Sequence, residues 1–143
     1  MTSFALAVLL QASALTAQPT AFDRAVERSA ESGRPLIVLL GAEWCPGCKV
    51  MKNSTLPEVA KAGGLKNAEY VYVDVDHEPE LAGRLIRGNS IPQLHRFQKT
   101  KEGWDSRHLV GAQDARKVAG FIEGKAAPVR LSSWQQPVGA AGR

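Results

Sequence analysis

Both cysteines of the chain lie in one short run, Trp44-Cys45-Pro46-Gly47-Cys48, and their spacing limits what they can do. The run follows an apolar stretch, residues 35–40, so a strand delivers the first cysteine to the start of a helix and the second follows one turn later. That is the geometry thiol–disulfide exchange needs. Structural zinc takes about four ligands, and the chain has no second Cys-x-x-Cys and no His-x-x-x-His to complete a set. Covalent haem attachment takes a histidine directly after the second cysteine, a position held here by Lys49. A pair of inert core cysteines is the remaining alternative. Against it, Trp44 in front and Pro46-Gly47 between the cysteines place the first sulfur on an exposed turn.

Pro46 suits a first helical turn. Cys45 then occupies a helix N-terminus, where unpaired backbone N–H groups and the positive dipole end favour a thiolate, and it reads as the nucleophile. Cys48 falls on the same face and deeper, and it reads as the resolving cysteine. Lys49 adds positive charge that favours the thiolate, whereas Glu43 on the other side opposes it.

These side chains need a frame, and the chain supplies an alternating one. Phe22, Ala25, Val26 and Ala30 recur at helical spacing after Gln18 or Thr20, and Ser32-Gly33 closes that helix. The run 35–40 is apolar almost throughout, as expected of a strand buried on both faces at the centre of a sheet. The cysteine helix runs to Val50 or Met51 and bends or breaks near Pro57, with Gly63-Gly64 as its end. Residues 70–75 read as a second inner strand, residues 76–87 as a helix and residues 91–97 as an extended segment opened by a proline. Residues 99–105 read as a charged turn, 107–110 as a strand and 113–122 as a last amphipathic helix. The order is α-β-α-β-α-β-β-α, an α/β fold with a central mixed sheet and helices on both faces.

The 143 residues, 44% hydrophobic, suffice for one core, and a formal net charge of +4 is too scattered among acids to mark a nucleic-acid surface. Residues 1–17 read as a signal peptide: apolar from Phe4 to Leu15 but for Gln11 and Ser13, too short to span a bilayer, and followed by small residues. Its n-region holds no Lys or Arg, so an N-terminal anchor or a cytoplasmic chain stays open. The last residues, 125–143, have loop-like composition and read as a flexible tail. His77, His95 and His108 read as capping, exposed or satisfied histidines, not ligands, and Trp104 and Trp134 as covers for apolar surface.

From about Thr20 to Gly124 the chain resembles the thioredoxin-fold family. The marks are residues 42–49 with the cysteines, Val73-Asp74-Val75-Asp76, Ile91-Pro92, and Val110-Gly111-Ala112 before the last helix. The resemblance implies a thioredoxin-like domain over residues 20–124 and a cis-proline at Pro92 opposite the cysteines. It also implies that the Ile91 backbone pairs with an extended client peptide and that Trp44 flanks the contact surface. Asn53-Ser54-Thr55-Leu56-Pro57-Glu58-Val59 is similar to secreted thioredoxin-like domains that act as periplasmic disulfide reductases. Two departures stand out. Leu39 occupies the position of the buried aspartate of cytosolic thioredoxins, and Tyr72 that of a neighbouring lysine, so the proton acceptor for the resolving thiol is unassigned. Pro46-Gly47 reverses their Gly-Pro, so their reduction potential does not carry over.

The expected function is that of a monomeric thiol–disulfide oxidoreductase, secreted or periplasmic, reducing or relaying electrons to client protein disulfides and recharged by a redox partner protein. It uses Cys45 and Cys48 as a redox-active disulfide and needs no metal or bound cofactor. Stable membrane insertion is not expected once the signal is cleaved. A disulfide-donating oxidase or isomerase is the alternative within the same chemistry. A non-enzymatic binding or chaperone module is the alternative outside it.

Overall fold

A computed structural model of the protein describes residues 18–125. The signal peptide of residues 1–17, Trp134 and all of the expected tail beyond Lys125 lie outside the described residues. Thr20 opens α1 (Ala21–Ser32) with a reciprocal cap: its hydroxyl accepts the Asp23 N–H at 3.1 Å while the Asp23 carboxylate accepts the Thr20 N–H at 2.9 Å. Gly33 ends the helix at φ 71°, a left-handed conformation that glycine adopts without steric cost.

β1 (Leu36–Gly41) is buried at every position. It pairs parallel with β2 (Glu69–Asp74) on one side and antiparallel with β3 (Gln93–Thr100) on the other, and β3 continues into β4 (Gly103–Val110). The sheet order is β2-β1-β3-β4, so β1 is central as expected. Among the described residues β2, read from sequence as an inner strand, pairs with β1 alone and stands at an edge of this sheet, its apolar alternation matching the helices that cover its two faces.

The two faces are covered differently. Phe22, Ala25 and Val26 of α1 and Ala82 and Leu85 of α4 (Pro79–Leu85) pack on Leu36, Val38, Leu40, Val73 and Phe97. On the other face lie Met51, Leu56 and Val59, together with Val118, Phe121 and Ile122 of α5 (Ala115–Ile122), against Ile37, Leu39 and Leu94. Alternate β1 residues thus anchor opposite layers, and truncating one of these fully buried leucines to alanine costs about 2–5 kcal/mol.

Pro57 does not break the cysteine helix. α2 (Pro46–Val50) passes through one π-helical turn (Met51–Thr55) into α3 (Leu56–Lys61), and the Leu56 N–H reaches back to the Met51 carbonyl. The wider turn suits a proline, which has no N–H to donate and whose ring crowds the carbonyl four residues back. The helix expected over 76–87 is shorter, because the Asp74 carboxylate accepts the N–H groups of Asp76 and His77 and holds them in a turn ahead of Pro79. Residues 99–105 are not a charged loop: Gln98 pairs with Asp105, Lys99 with Trp104 and Thr100 with Gly103, leaving Lys101-Glu102 as a two-residue hairpin turn. Charges are tolerated there because residues 99–102 at the tip are exposed, and the Lys99 ammonium lies over the ring of the half-buried Trp104 at 5.7 Å. Among the described residues, no helix is long and apolar enough to cross a membrane.

Candidate active site

β1 ends at Gly41, Ala42 to Trp44 form a turn, and Cys45 is the residue that caps α2. Its Sγ accepts the Cys48 N–H at 3.2 Å, the bond a serine or aspartate oxygen makes at other helix starts. Cys45 and Cys48 are joined in a disulfide, with Cα atoms 5.2 Å apart. Cys48 is the deeper of the two, 1% exposed. The exposed turn expected for Cys45 is not found: that residue keeps 6% of its surface, because Ala42, Val75 and Ile91 pack against the pair. Trp44 beside it is 67% exposed.

The opposite wall comes from the segment between α4 and β3. The Ile91–Pro92 peptide bond is cis, as the resemblance implied. The Ile91 carbonyl oxygen lies 3.9 Å from the Cys45 sulfur. Pro92 is buried against the cysteine turn so closely that a Cβ added at Gly47 would meet its Cδ at 3.3 Å. Trp44, Cys45, Cys48, Ile91 and Pro92 therefore converge.

Glu43 and Lys49 do not join this cluster. Lys49 is exposed on α2, and Glu43 forms an ion pair with Lys52, whose ammonium also lies 4.2 Å from the centre of the Tyr72 ring. Leu39, fully buried in the apolar layer behind the cysteines, supplies no carboxylate to them. The Tyr72 hydroxyl lies 3.5 Å from the Asp74 carboxylate, and burial together with the Asp74 and Glu43 charges pushes its phenol up to about 12. For Asp74, burial alone would raise the carboxyl. The N–H groups of Asp76 and His77 and the His77 ring at 3.3 Å outweigh it and hold the group below the usual carboxylate range. His77 thus serves the strand end, as a satisfied surface histidine.

Three contributors were missed from sequence. Gly41 leaves room for the pair: a Cβ there would lie 3.0 Å from Cys48 Cβ and 3.2 Å from its sulfur. Asp76 accepts the Trp44 indole N–H at 2.8 Å. Gln93, fully buried at the start of β3, bonds the backbone of the Pro92 segment. A glycine at the last position of the strand before the cysteines was the available signal for the first. A polar residue on an inward strand position was the signal for the last, and Asp76 carried none.

A family model described as thioredoxin-like matches residues 16–98. The thiol:disulfide interchange protein DsbD 1 of Pseudomonas aeruginosa is 25% identical over 104 residues, which are 71% of this chain and 18% of that protein. Thioredoxin Asp f 29 of Aspergillus fumigatus is 29% identical over 86 residues, 60% of this chain and 74% of that one. In fold, a thioredoxin from Thermus thermophilus matches with a TM-score of 0.61 at 21% identity, covering 72% of this chain and 82% of its own. The poplar thioredoxin h PtTrxh4 matches at 0.58 and 17%, covering 75% and 91%. The chain belongs to the thioredoxin-like family, and it is a thiol–disulfide oxidoreductase whose exchangeable bond is Cys45–Cys48.

Proposed function

We propose that the protein reduces, or relays electrons to, disulfides of client proteins outside the cytoplasm, working as a monomer. The observation that carries this reading is the Cys45–Cys48 bond at the start of α2, faced by the Ile91 carbonyl at 3.9 Å. In the reduced protein, the Cys48 N–H that now meets the Cys45 sulfur is a ready donor to a thiolate. That thiolate attacks one sulfur of a client cystine. The client S–S bond breaks, a Cys45–client disulfide forms, and the departing client sulfur takes up a proton. Cys48 then loses its proton to water and attacks the Cys45 sulfur. The second client thiol leaves, two electrons have passed to the client, and Cys45–Cys48 is oxidised. A dithiol donor protein returns the two electrons and two protons. Trp44, Ile91 and Pro92 form the surface on which the client lies. The extracytoplasmic setting is supported by the apolar N-terminal segment.

Supplied with dithiothreitol, the wild type is expected to reduce insulin disulfides, and Cys45→Ser to abolish this. Cys48→Ser is expected to accumulate mixed disulfides through Cys45 with extracytoplasmic proteins. Capture through Cys48 instead, or no insulin reduction by the wild type, would overturn the mechanism. Captured proteins confined to the cytoplasm would overturn the compartment.

A further inference from the structure

Gln93 is fully buried on the first residue of β3, directly after the cis Ile91–Pro92 bond, and every polar atom of its amide is used. Its Nε2 donates to the carbonyls of Arg87 at 2.6 Å and Ser90 at 2.7 Å. Its Oε1 accepts the Arg87 N–H at 2.9 Å. Two carbonyl partners fix which end of the amide is nitrogen. The same Oε1 lies 3.0 Å from His95 Nε2, so that ring nitrogen is the donor. His95 is stacked in turn between Phe97 at 5.8 Å and His108 at 5.4 Å. One side chain therefore ties down a non-helical segment at both ends, from Arg87 to Ser90, and is itself held from behind by a wedged ring.

The tied segment leads straight into Ile91 and Pro92, whose far side is fixed by the Gly111 N–H donating to the Pro92 carbonyl at 2.8 Å. We propose that Gln93 is a positioning residue for client binding: its amide sets where the Ile91 backbone stands relative to the Cys45 sulfur, while leaving the reactivity of that sulfur to the cysteine turn. The role rests on the exchange reading above. Removing the amide takes their partner from three part-buried backbone groups, the Arg87 N–H and the Arg87 and Ser90 carbonyls, which costs a segment its fixed geometry more readily than it costs the sheet its core. Misplacing a binding edge raises KM for a substrate that uses the edge and leaves a substrate that does not unaffected.

The test compares wild type, Gln93→Leu and Gln93→Glu, each checked for an unchanged folded spectrum. Glu keeps the acceptor for Arg87 and His95 and faces the two carbonyls with oxygen. Each protein is assayed with insulin and with dithionitrobenzoate, a small aromatic disulfide that needs no peptide edge. The expected result is a KM for insulin raised about tenfold with kcat little changed, a rate with the small disulfide within about twofold of wild type, and faster hydrogen exchange at the Arg87 amide. An unaltered KM, or equal loss on both substrates, overturns the role of Gln93. Failure of both variants to fold overturns it as well, since the amide is then a stability device. A wild type inactive on insulin overturns the exchange reading instead, and the unchanged or accelerated Arg87 exchange still reports whether Gln93 fixes the segment.

Discussion

The two walls of the exchange site are built on opposite plans. The cysteine wall closes on itself: the Cys45 N–H reaches the Ala42 carbonyl, the Lys49 N–H the Cys45 carbonyl, and the Cys48 N–H the Cys45 sulfur. Each bond spans at most four residues. The proline wall is closed mainly from farther off: the buried Gln93 amide bonds Arg87 six residues back as well as Ser90, and the Gly111 N–H after β4 reaches the Pro92 carbonyl. A reactive sulfur has to keep its donors through every cycle of bond exchange, and short local bonds do that. An edge meant for another protein's backbone has to stand at a fixed distance from that sulfur, and only a contact from the sheet sets such a distance. Chemistry is local to one wall and recognition is tertiary on the other.

The hardest blow to the cysteine wall comes from Gly41→Ala. The added methyl would press on Cys48 Cβ at 3.0 Å and on the Tyr72 ring at 3.2 Å. Overpacking of this kind costs about 1–3 kcal/mol, against which the lower chain entropy of alanine returns about 0.4–1 kcal/mol. A net loss of about 1–2 kcal/mol is expected in urea unfolding of the oxidised protein, with slower closure of Cys45–Cys48 in stopped-flow reoxidation. Unchanged Arg87 amide exchange in the same variant would keep the walls separate; accelerated exchange would show that they move as one body.

The proline wall has its own lever, pH. Burial, then the His108 and Arg87 charges, lower His95 to about 3, whereas an unfolded histidine titrates near 6.5. Below about 6.5 the unfolded chain binds a proton that the folded one refuses, so stability is lost as pH falls toward the folded value. Between pH 6.5 and 5 this amounts to about 2 kcal/mol. His95→Gln retains an N–H for Gln93 and cannot titrate, so its urea midpoint is expected to fall less over that range. Equal pH dependence in the two proteins would mean that the folded ring takes up its proton as readily as the unfolded one, and Gln93 Oε1 would then be holding an imidazolium at pH 5.

What the sequence disclosed follows the same division. Residues 42–49 were readable because a strand end, a helix-starting proline and two cysteines one turn apart act on neighbours. The apolar run of β1 was readable because burial on both faces leaves no polar alternation. Gln93 was not, since nothing in Pro92-Gln93-Leu94-His95 reveals a side chain bonding a backbone six residues earlier. The trace it did leave is a polar pair, Gln93 and His95, sharing a strand face with Phe97 where the period of two calls for apolar residues. β2 stands at an edge among the described residues although it reads as an inner strand, because helices cover the two faces of an edge strand as fully as those of an inner one. The β3–β4 hairpin was truncated because Lys99, Lys101, Glu102 and Asp105 resemble a loop, and a solvated ribbon accepts the same residues. The Cys45 sulfur was expected in the open because its cover, Ile91, arrives from the far wall.

Trp44 tests whether the division holds at the boundary. It belongs to the cysteine wall by position, yet its indole N–H is held from outside by Asp76, beyond the end of β2. Both groups are exposed, so Asp76→Ala is expected to lower stability by less than about 1 kcal/mol. If Trp44 acts in recognition, loosening it should raise KM for insulin by about two- to threefold and leave the rate with dithionitrobenzoate unchanged, a smaller copy of the Gln93 effect. A fall in the small-disulfide rate would place Trp44 with the chemistry instead. The indole would then be shielding the Cys45 sulfur, and the line between the walls would run through the turn that precedes α2.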